Sequence, residues 1–435
     1  MKKLIRLLTA LAMLAASSVG AAEYNLDQFL IQVERHSKDL KLARKDTELA
    51  RAEKKEAIAG ALPHVSAQAD YTRNLSDIYM YIDMGEGSQK LRYNRDNEYA
   101  FVAVLRQTLF SPALHYAITA AKQYEQLTDF VYDASYQEII IAAKKAFYQA
   151  VLLHHVWQVT EASRQNALEN YESVKNKYDN GLVSEFELLQ AEVRYKDFIP
   201  RTTEARRNYD IALINLKNIA GIPVDQELIP VGSLDNYPGL PADVSISSIL
   251  ANRPDYNSQV WEAKLYETGV KYEKSNYYPS LSGNFAYAYS SQTDGWGFED
   301  ENNSYTVGVT LSIPIFTGGA TRAKVQQARI EYDKSRIRVE RAEDDINREI
   351  ANIRLRLDEA FNRIMAAEAT LKTAEKAFAI AEATSGSGLT TQLELKDSRL
   401  MLDQASVNYY SAIYEYLEAY YDWEKAIGVV RQDRN

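Results

Sequence analysis

The chain of 435 residues is acidic and contains no cysteine, and both features exclude classes of protein. A formal net charge of −10 argues against nucleic-acid binding, which needs a basic surface. The lack of cysteine excludes disulfides, zinc–thiolate sites and a lipoprotein anchor, which requires a cysteine at the cleavage point. Because 46% of the residues are hydrophobic and 25% are charged, the chain is neither a disordered polyelectrolyte nor a helical membrane protein.

The N-terminal segment has the composition of a secretory signal peptide, which we assign to residues 1–22. An apolar stretch at residues 4–16 is accompanied by Lys2, Lys3 and Arg6, and small residues follow it before Glu23. The stretch is shorter than the ~20 residues that a transmembrane helix needs. Cleavage removes the three cations and changes the net charge from −10 to −13. No other long, uncharged apolar run follows, so any membrane crossing is expected to use β-strands.

The remaining sequence is built twice. Pro63–Tyr71 (PHVSAQADY) aligns with Pro279–Tyr287 (PSLSGNFAY), and Gly181-Leu182 aligns with Gly388-Leu389. The alignment offset is 216 residues early in the repeat and 206 or 207 later, which indicates one insertion in the first hairpin loop. We therefore assign a first repeat to residues 23–222, a proline-rich extended connector to 223–243, and a second repeat to 244–435.

Each repeat is predicted to form two strands and three helices. Apolar and polar residues alternate in a hairpin at about residues 64–110 and again at about 280–315. Strands of about ten residues with aromatic side chains near their ends suit the wall of a transmembrane barrel. Four strands cannot close a barrel, so several chains would have to share one. A soluble sandwich or a pair of exposed hairpins is the alternative.

Two helices are predicted to be unusually long, from Pro112 to about Asn180 and from about Thr321 to Ser385. Apolar residues in the second recur at spacings of four and three, which is typical of a coiled-coil seam. The seam consists of Ile346, Ile350, Ile353, Leu357, Ala360, Ile364, Ala367, Leu371, Ala374, Phe378 and Ala381. A neighbouring stripe of mostly small residues consists of Ala366, Thr370, Thr373, Ala377 and Ile380. Two adjacent seams favour a hollow helical barrel, with a solid coiled-coil stalk as the alternative.

Several of these motifs resemble those of the TolC family of outer-membrane factors, over essentially the whole chain after the signal peptide. Val307–Arg329 (VGVTLSIPIFTGGATRAKVQQAR) resembles the family segment in which the last strand turns into the second long helix. The Gly-Leu pairs at Gly181-Leu182 and Gly388-Leu389 resemble the turns at the periplasmic tips. The prolines at predicted helix–strand junctions resemble the swivels between the two barrels; they are Pro63, Pro112, Pro279 and Pro314.

The resemblance implies a mostly α fold with a β-barrel, in which three identical chains form one α/β-barrel channel. Each protomer would contribute four antiparallel transmembrane strands and long coiled-coil helices from a tandem structural duplication. The channel would lie in the outer membrane, in contact with its lipid, with its helices extending into the periplasm. Its partners would be a periplasmic adaptor and an inner-membrane RND pump or ABC exporter. The implied function is a passive exit duct for efflux, type I secretion or both, with no catalytic residues, cofactor or metal.

Two carboxylates are candidates for a gate. Glu394 and Asp397 follow the second Gly-Leu turn at i, i+3 spacing, which places them on one helix face. By resemblance they match acidic residues that ring the periplasmic aperture of the family, and Glu187 is the first-repeat counterpart of Glu394. An ordinary solvated acidic face, partnered by Lys396 and Arg399, is the alternative. Ser385 and Thr390 stand where relatives carry a Tyr and an Arg that lock the tip, so this chain departs from that lock.

Enzyme chemistry has no recognisable motif in the sequence. His154 and His155 are adjacent, whereas a helical metal pair prefers i, i+4 spacing, and no Ser/His/Asp arrangement or phosphate loop is present. The alternative function of another class is a trimeric structural or adhesive coiled-coil stalk without a conducting lumen. A stalk would have a filled heptad core and would not conduct.

Overall fold

The computed structural model describes residues 22–83, 85, 87–385 and 391–429. Except for Ala22, the predicted signal peptide lies outside this part of the chain. The helices are α1 (Leu26–His36), α2 (Lys38–Ala59), α3 (Pro112–Asp179), α4 (Glu185–Ala220), α5 (Ile246–Asn252), α6 (Pro254–Ser275), α7 (Ala320–Ser385) and α8 (Gln392–Ala426). The strands are β1 (Ala22–Tyr24), β2 (His64–Arg73), β3 (Tyr79–Asp83), β4 (Ser88–Arg92), β5 (Asn97–Phe110), β6 (Leu228–Pro230), β7 (Ser280–Thr293) and β8 (Asn302–Ser312). None of the helices described here is both long and apolar enough to cross a membrane.

The duplication is visible in the lengths of the helices. Helices α2 and α6 each have 22 residues, α3 and α7 have 68 and 66, and α4 and α8 have 36 and 35. The prediction of three helices per repeat was wrong, because each repeat has four in the described part of the chain. The first helix of each repeat is interrupted by one residue with extended backbone, Ser37 or Arg253. At Arg253 the following Pro254 explains the break, because a residue before proline avoids helical backbone angles.

The chain divides into two compact units, one of which contains residues 46–129 and 258–340. Its main sheet has the order β2-β5-β7-β8 with antiparallel neighbours, as expected for two duplicated hairpins. The predicted insertion in the first loop contains a further hairpin of β3 and β4, which the sequence analysis did not predict. Arg92 at the end of β4 and Arg95 just after it form ion pairs with Asp294 in the second loop, at 3.0 and 2.8 Å.

The other unit contains the tip ends of the long helices and two apolar cores. The larger core includes the predicted seam of α7, whose residues from Ile346 to Ile364 are all at least 93% buried. The six seam residues in this stretch are Ile346, Ile350, Ile353, Leu357, Ala360 and Ile364. They pack against α8, including Tyr416 and Leu417. The smaller core joins α1, α3 and α4 around Phe29, Phe147 and Leu216. The heptad prediction for α7 is therefore confirmed from Ile346 to Ile364, and of the later seam residues Ala381 is buried while Ala367, Leu371, Ala374 and Phe378 are half-buried.

Candidate functional site

The first predicted tip turn lies between α3 and α4. Gly181 has a left-handed φ of 69°, which a residue with a Cβ adopts only at a cost. Its N–H donates to the carbonyl of Tyr178 and the N–H of Leu182 donates to that of Lys177, both at 2.8 Å. This pair of bonds satisfies carbonyl groups at the end of α3 and reverses the chain into α4. The second predicted turn, Gly388-Leu389, lies outside the described residues, as do Thr390 and the side chain of Ser385.

Glu394 is held against the N-terminus of its own helix. Its Oε2 accepts hydrogen bonds from the backbone N–H and the hydroxyl of Thr391, at 2.9 and 3.0 Å. In return, Thr391 Oγ1 accepts from the N–H of Glu394 at 3.2 Å, which completes a capping box. The backbone hydrogen bond from Thr391, followed by that from its hydroxyl, lowers the pKa of Glu394. The carboxylate is therefore a cap as well as a gate candidate, and the Thr-x-x-Glu pattern could have predicted that role.

Glu187 occupies the same position in the first repeat. It is the third residue of α4, and its N–H donates to the Ser184 hydroxyl at 3.3 Å. Its side chain is exposed. The two repeats therefore share a hydroxyl cap followed by a glutamate, so helix capping is one reason for the repeated residue.

Asp397 lies among cations. Its Oδ1 is 3.8 Å from Arg194 Nη2, and its side chain is 52% exposed. Burial lowers the pKa of the neighbouring Lys396, and the positive charges of Arg194 and Lys177 lower it further. One protomer therefore presents Asp397 as a solvated carboxylate with a loose ion pair, which leaves its oxygens free to attract a cation.

The next turn of α8 is bound to the rest of its unit by polar contacts. Asp403 Oδ1 accepts from Arg399 Nε at 3.1 Å, and its other oxygen accepts from the Ser163 hydroxyl. Arg399 also lies over the ring of Phe378, 5.1 Å from its centroid. Arg399 therefore pairs with Asp403. It is not the partner of Glu394 or Asp397 that the solvated-face alternative predicted.

An exposed apolar row follows the first tip turn, and the sequence analysis missed it. It consists of Leu182, Phe186, Leu189 and Val193. The spacing of three and four residues places Phe186, Leu189 and Val193 on one face of α4, and Leu182 precedes them in the tip turn itself. The same spacing could have identified the row in the sequence. In the isolated protomer these side chains are open to solvent.

The four predicted swivel prolines all lie at helix–strand junctions. Pro63 directly precedes β2, and Pro279 directly precedes β7. Pro112 is the first residue of α3, where its missing N–H costs nothing, and Pro314 follows β8 by two residues. A swivel role for these prolines remains a prediction.

The adjacent histidines of α3 face different neighbours. His155 Nε2 lies 3.1 Å from Ser406 Oγ, and the His154 ring packs on Tyr209 with 4.9 Å between centroids. Burial lowers the pKa of both imidazoles. Across the ranges the structure covers, no group of three or more His, Asp or Glu residues could hold a metal ion.

Comparison with protein families gives one match that covers most of the chain. The model of the outer membrane efflux protein family matches residues 30–222 and 245–429. Among curated proteins, the outer membrane protein TolC of Escherichia coli (strain K12) is 22% identical over 448 residues, which cover 99% of this chain and 87% of that protein. The alkaline protease secretion protein AprF of Pseudomonas aeruginosa is 22% identical, with coverage of 83% and 76%.

Solved structures share the fold. The Campylobacter jejuni CmeC outer membrane channel superposes with a TM-score of 0.78 at 19% identity, covering 94% of this chain and 87% of that one. The open state of the Neisseria gonorrhoeae MtrE outer membrane channel gives 0.74 at 18% identity, covering 93% and 88%. The predicted α/β channel fold and outer-membrane location are thereby confirmed. The chain therefore belongs to the outer membrane efflux protein family.

Proposed function

We propose that this chain is the protomer of a homotrimeric exit duct that works with a periplasmic adaptor and an inner-membrane pump or ABC exporter. The observation that carries the proposal is the four-stranded sheet with two open edges. Among the described residues, β2 pairs only with β5, and β8 pairs only with β7. Along β8, Tyr305, Val307 and Val309 expose one apolar face. An apolar sheet with open edges is stable in lipid only when neighbouring copies close it.

The second stripe of α7 supports the same assembly. Ala366, Thr370, Thr373 and Ala377 are exposed in the protomer, and Ile380 is 65% exposed although it is a large apolar residue. Beside this stripe, the seam of the same helix is half-buried at Ala367, Leu371, Ala374 and Phe378 and buried at Ala381. The open stripe is therefore a place where a helix of another copy could pack, as the wall of a hollow barrel requires.

The exposed row on α4 supports an adaptor as the partner. The row begins in the tip turn with Leu182 and continues on α4 with Phe186, Leu189 and Val193, all of them exposed. Amphipathic helices bind such stripes through side chains at the same helical spacing. A helical adaptor that covers this row would join the duct to the pump without needing an enzyme activity.

The proposed cargo includes both small molecules and secreted proteins. Relatives of this chain carry names from both classes, including the alkaline protease secretion protein of P. aeruginosa and the fusaric acid resistance protein of Burkholderia cepacia. We propose that the same duct serves small-molecule efflux, type I secretion or both, with the inner-membrane partner selecting the cargo.

Conductance in a planar lipid bilayer tests the duct directly. We expect the purified protein to insert and give discrete single-channel steps that are small and cation-selective, since the acidic tip narrows the periplasmic end. The particle mass in detergent, measured by light scattering, should equal three chains. A trimer that inserts but never conducts, even after its tip carboxylates are neutralised, would instead support the structural stalk.

The acidic gate is the second part of the proposal. Three copies of Glu394 and Asp397 would give six carboxylates around the aperture. Glu187 is at the position of α4 that corresponds to Glu394 in α8. Because Glu394 is already occupied as a helix cap, we propose that Asp397 provides most of the attraction for a cation.

Neutralising these carboxylates is expected to weaken block by divalent cations from the periplasmic side. In the variant Glu394→Gln with Asp397→Asn, we expect the blocking concentration to rise about tenfold, because Coulomb attraction is lost. Glutamine can keep the capping bond to Thr391, so α8 should remain intact. A matched control, Glu375→Gln with Glu382→Gln, removes two exposed charges from a different helix, α7. Equal block in both variants would remove the gate assignment.

A further inference from the structure

A basic groove lies where the second hairpin meets its helices, within the unit that holds the sheet. It runs between the end of α6 and the start of α7 and has a volume of about 780 Å³. Three of its lining side chains are cationic, namely Lys274, Arg322 and Arg329, and none is acidic. Within the described ranges, no carboxylate forms an ion pair with any of the three. The groove therefore has a strong excess of positive charge that nothing described in the protomer neutralises.

The helix that lines the groove adds to this charge. Arg322 lies in the first turn of α7, where the helix dipole already favours an anion over a cation. Arg322, Gln326 and Arg329 follow one another at i, i+4 and i+7 on one helix face. No acidic residue occurs in the sequence between Glu301 and Glu331. The helix dipole, the two arginines and the lack of nearby acidic residues in the sequence all make the start of α7 electrostatically positive. An anion bound in the groove would reduce the repulsion among these positive charges.

The part of the groove on α6 is specific to the second repeat. At the offset of 216 that aligns the first hairpin with the second, Lys274 corresponds to Ile58. The tyrosines Tyr277 and Tyr278, which also line the groove, correspond to Ala61 and Leu62. The shared architecture therefore does not require a lysine and two tyrosines here, since the first repeat has apolar side chains at these three positions.

Exposed apolar and aromatic side chains in the groove and close to it along the chain indicate what kind of anion it takes. Ile315 and Phe316, between β8 and α7, are 93% and 87% exposed. Tyr277 and Tyr278 are also exposed and are separated from β7 only by Pro279. Tyrosines near strand ends are typical of the boundary between lipid and water, and apolar side chains next to basic ones are typical of surfaces that bind anionic lipid. A small soluble anion would leave these apolar side chains in water.

We propose that this groove binds the phosphate of a phospholipid headgroup at the periplasmic face of the outer membrane. The proposal rests on the proposed function, which makes β7 and β8 membrane-spanning strands with the groove at their periplasmic ends. Lys274, Arg322 and Arg329 hold the phosphate, the two tyrosines lie at headgroup level, and Ile315 and Phe316 enter the acyl region. One lipid bound in this way would fix the height of each protomer in the membrane.

Lipid binding to the purified full-length protein in detergent tests the proposal. The probe is short-chain phosphatidylglycerol, and native mass spectrometry counts the bound lipids per chain during a titration. In the variant Lys274→Gln, Arg322→Gln, Arg329→Gln, we expect the dissociation constant to rise about a hundredfold, roughly fivefold for each basic side chain. The control Lys324→Gln, Lys334→Gln, Arg336→Gln removes three cations from α7 outside the groove and should change it less than about threefold.

Three outcomes would overturn the proposal. The first is equal lipid binding by the groove variant and the control. The second is binding of inorganic phosphate with the affinity of the lipid and the same loss in the groove variant, which would make the ligand a soluble anion. The third is dissociation of the trimer in the groove variant with unchanged lipid binding, which would make the groove a contact with a second copy. Conductance separates this inference from the proposed function, because a groove variant that still conducts leaves the duct intact.

Discussion

Replacing Arg253 by alanine is expected to lower the free energy of unfolding by ~2–4 kcal/mol. The Arg253 side chain is only 6% exposed and connects four helices. Its Nε and Nη2 donate to the two carboxylate oxygens of Asp255 at 3.0 and 2.6 Å, and its Nη1 donates to Glu349 at 2.5 Å. Nη1 also reaches the carbonyl of Ala426, at the end of α8. Removing the guanidinium leaves two carboxylates and a carbonyl without their hydrogen-bond donor. Because both carboxylates are partly exposed to solvent, the loss of stability should be smaller than for a fully buried ion pair.

The thermal unfolding midpoint in detergent, followed by circular dichroism, measures this effect. The control is Arg348→Ala, which removes an exposed arginine that pairs with Asp345 on the same helix, α7. An exposed pair of this kind is worth less than about 0.5 kcal/mol, so the control should unfold close to the wild type. If both variants unfold at the same temperature, Arg253 does not join the helices as inferred.

The same contact predicts a pH dependence. Burial alone would raise the pKa of Asp255, but the hydrogen bonds and charge of Arg253 outweigh it and lower the pKa below its ordinary value of 3.8. A lowered folded-state pKa stabilises the protein above the unfolded-state pKa, and this contribution is lost as the pH falls through the folded-state value. The difference between wild type and Arg253→Ala should therefore be full at neutral pH and shrink below pH ~4.

Replacing Gly428 by alanine is expected to destabilise the protein by ~2–4 kcal/mol, and Gly221→Ala by a similar amount. Gly428 has a φ of 74°, and an added Cβ would lie 2.6 Å from the backbone carbon of Asn252. Gly221 has a φ of 64°, and its Cβ would lie 2.4 Å from the carbonyl oxygen of His36. Left-handed backbone alone costs an alanine roughly 1–2 kcal/mol, and the clash with main chain adds to it.

A third glycine separates the cost of left-handed backbone from the cost of the steric clash. Gly181 also caps a helix with a left-handed φ, of 69°, but its Cβ would meet no atom within 4 Å. Gly181→Ala should therefore pay only the backbone cost of roughly 1–2 kcal/mol. Thermal midpoints of the three variants, measured together, should place Gly181→Ala nearest the wild type. A Gly428→Ala variant as stable as Gly181→Ala would mean that the α5 end can move away from the cap.

Regular periodicity made most of the fold predictable. The α7 seam and the alternating strands repeat one simple pattern over many residues, so tertiary contacts had little left to decide. The β3–β4 hairpin was missed because its strands are five residues each and surround a turn without a long alternating pattern. Arg253 was missed because its burial depends on Glu349 and the end of α8, which are near only in space.

The gate residues show a different limit of sequence reasoning. Spacing correctly placed Glu394 and Asp397 on one face of a helix, and the resemblance suggested an acidic ring. Only the folded structure places the Glu394 carboxylate on Thr391 and puts Arg194 near Asp397. These local contacts decide how much charge each residue offers to a cation, and they depend on rotamers and on neighbouring helices rather than on spacing.

The β3–β4 hairpin has a consequence for the symmetry of the outer mouth. It occurs in the loop of the first repeat only, since the second repeat joins β7 to β8 by residues 294–301 without further strands. The proposed homotrimer of duplicated protomers would have six hairpin loops, two from each chain. Because one loop in every two carries the extra hairpin, three loops with it would alternate with three loops without it at the outer end of the proposed trimer. A ligand with threefold symmetry could therefore bind all three hairpins at once, whereas a sixfold ligand would use only every second of its binding surfaces.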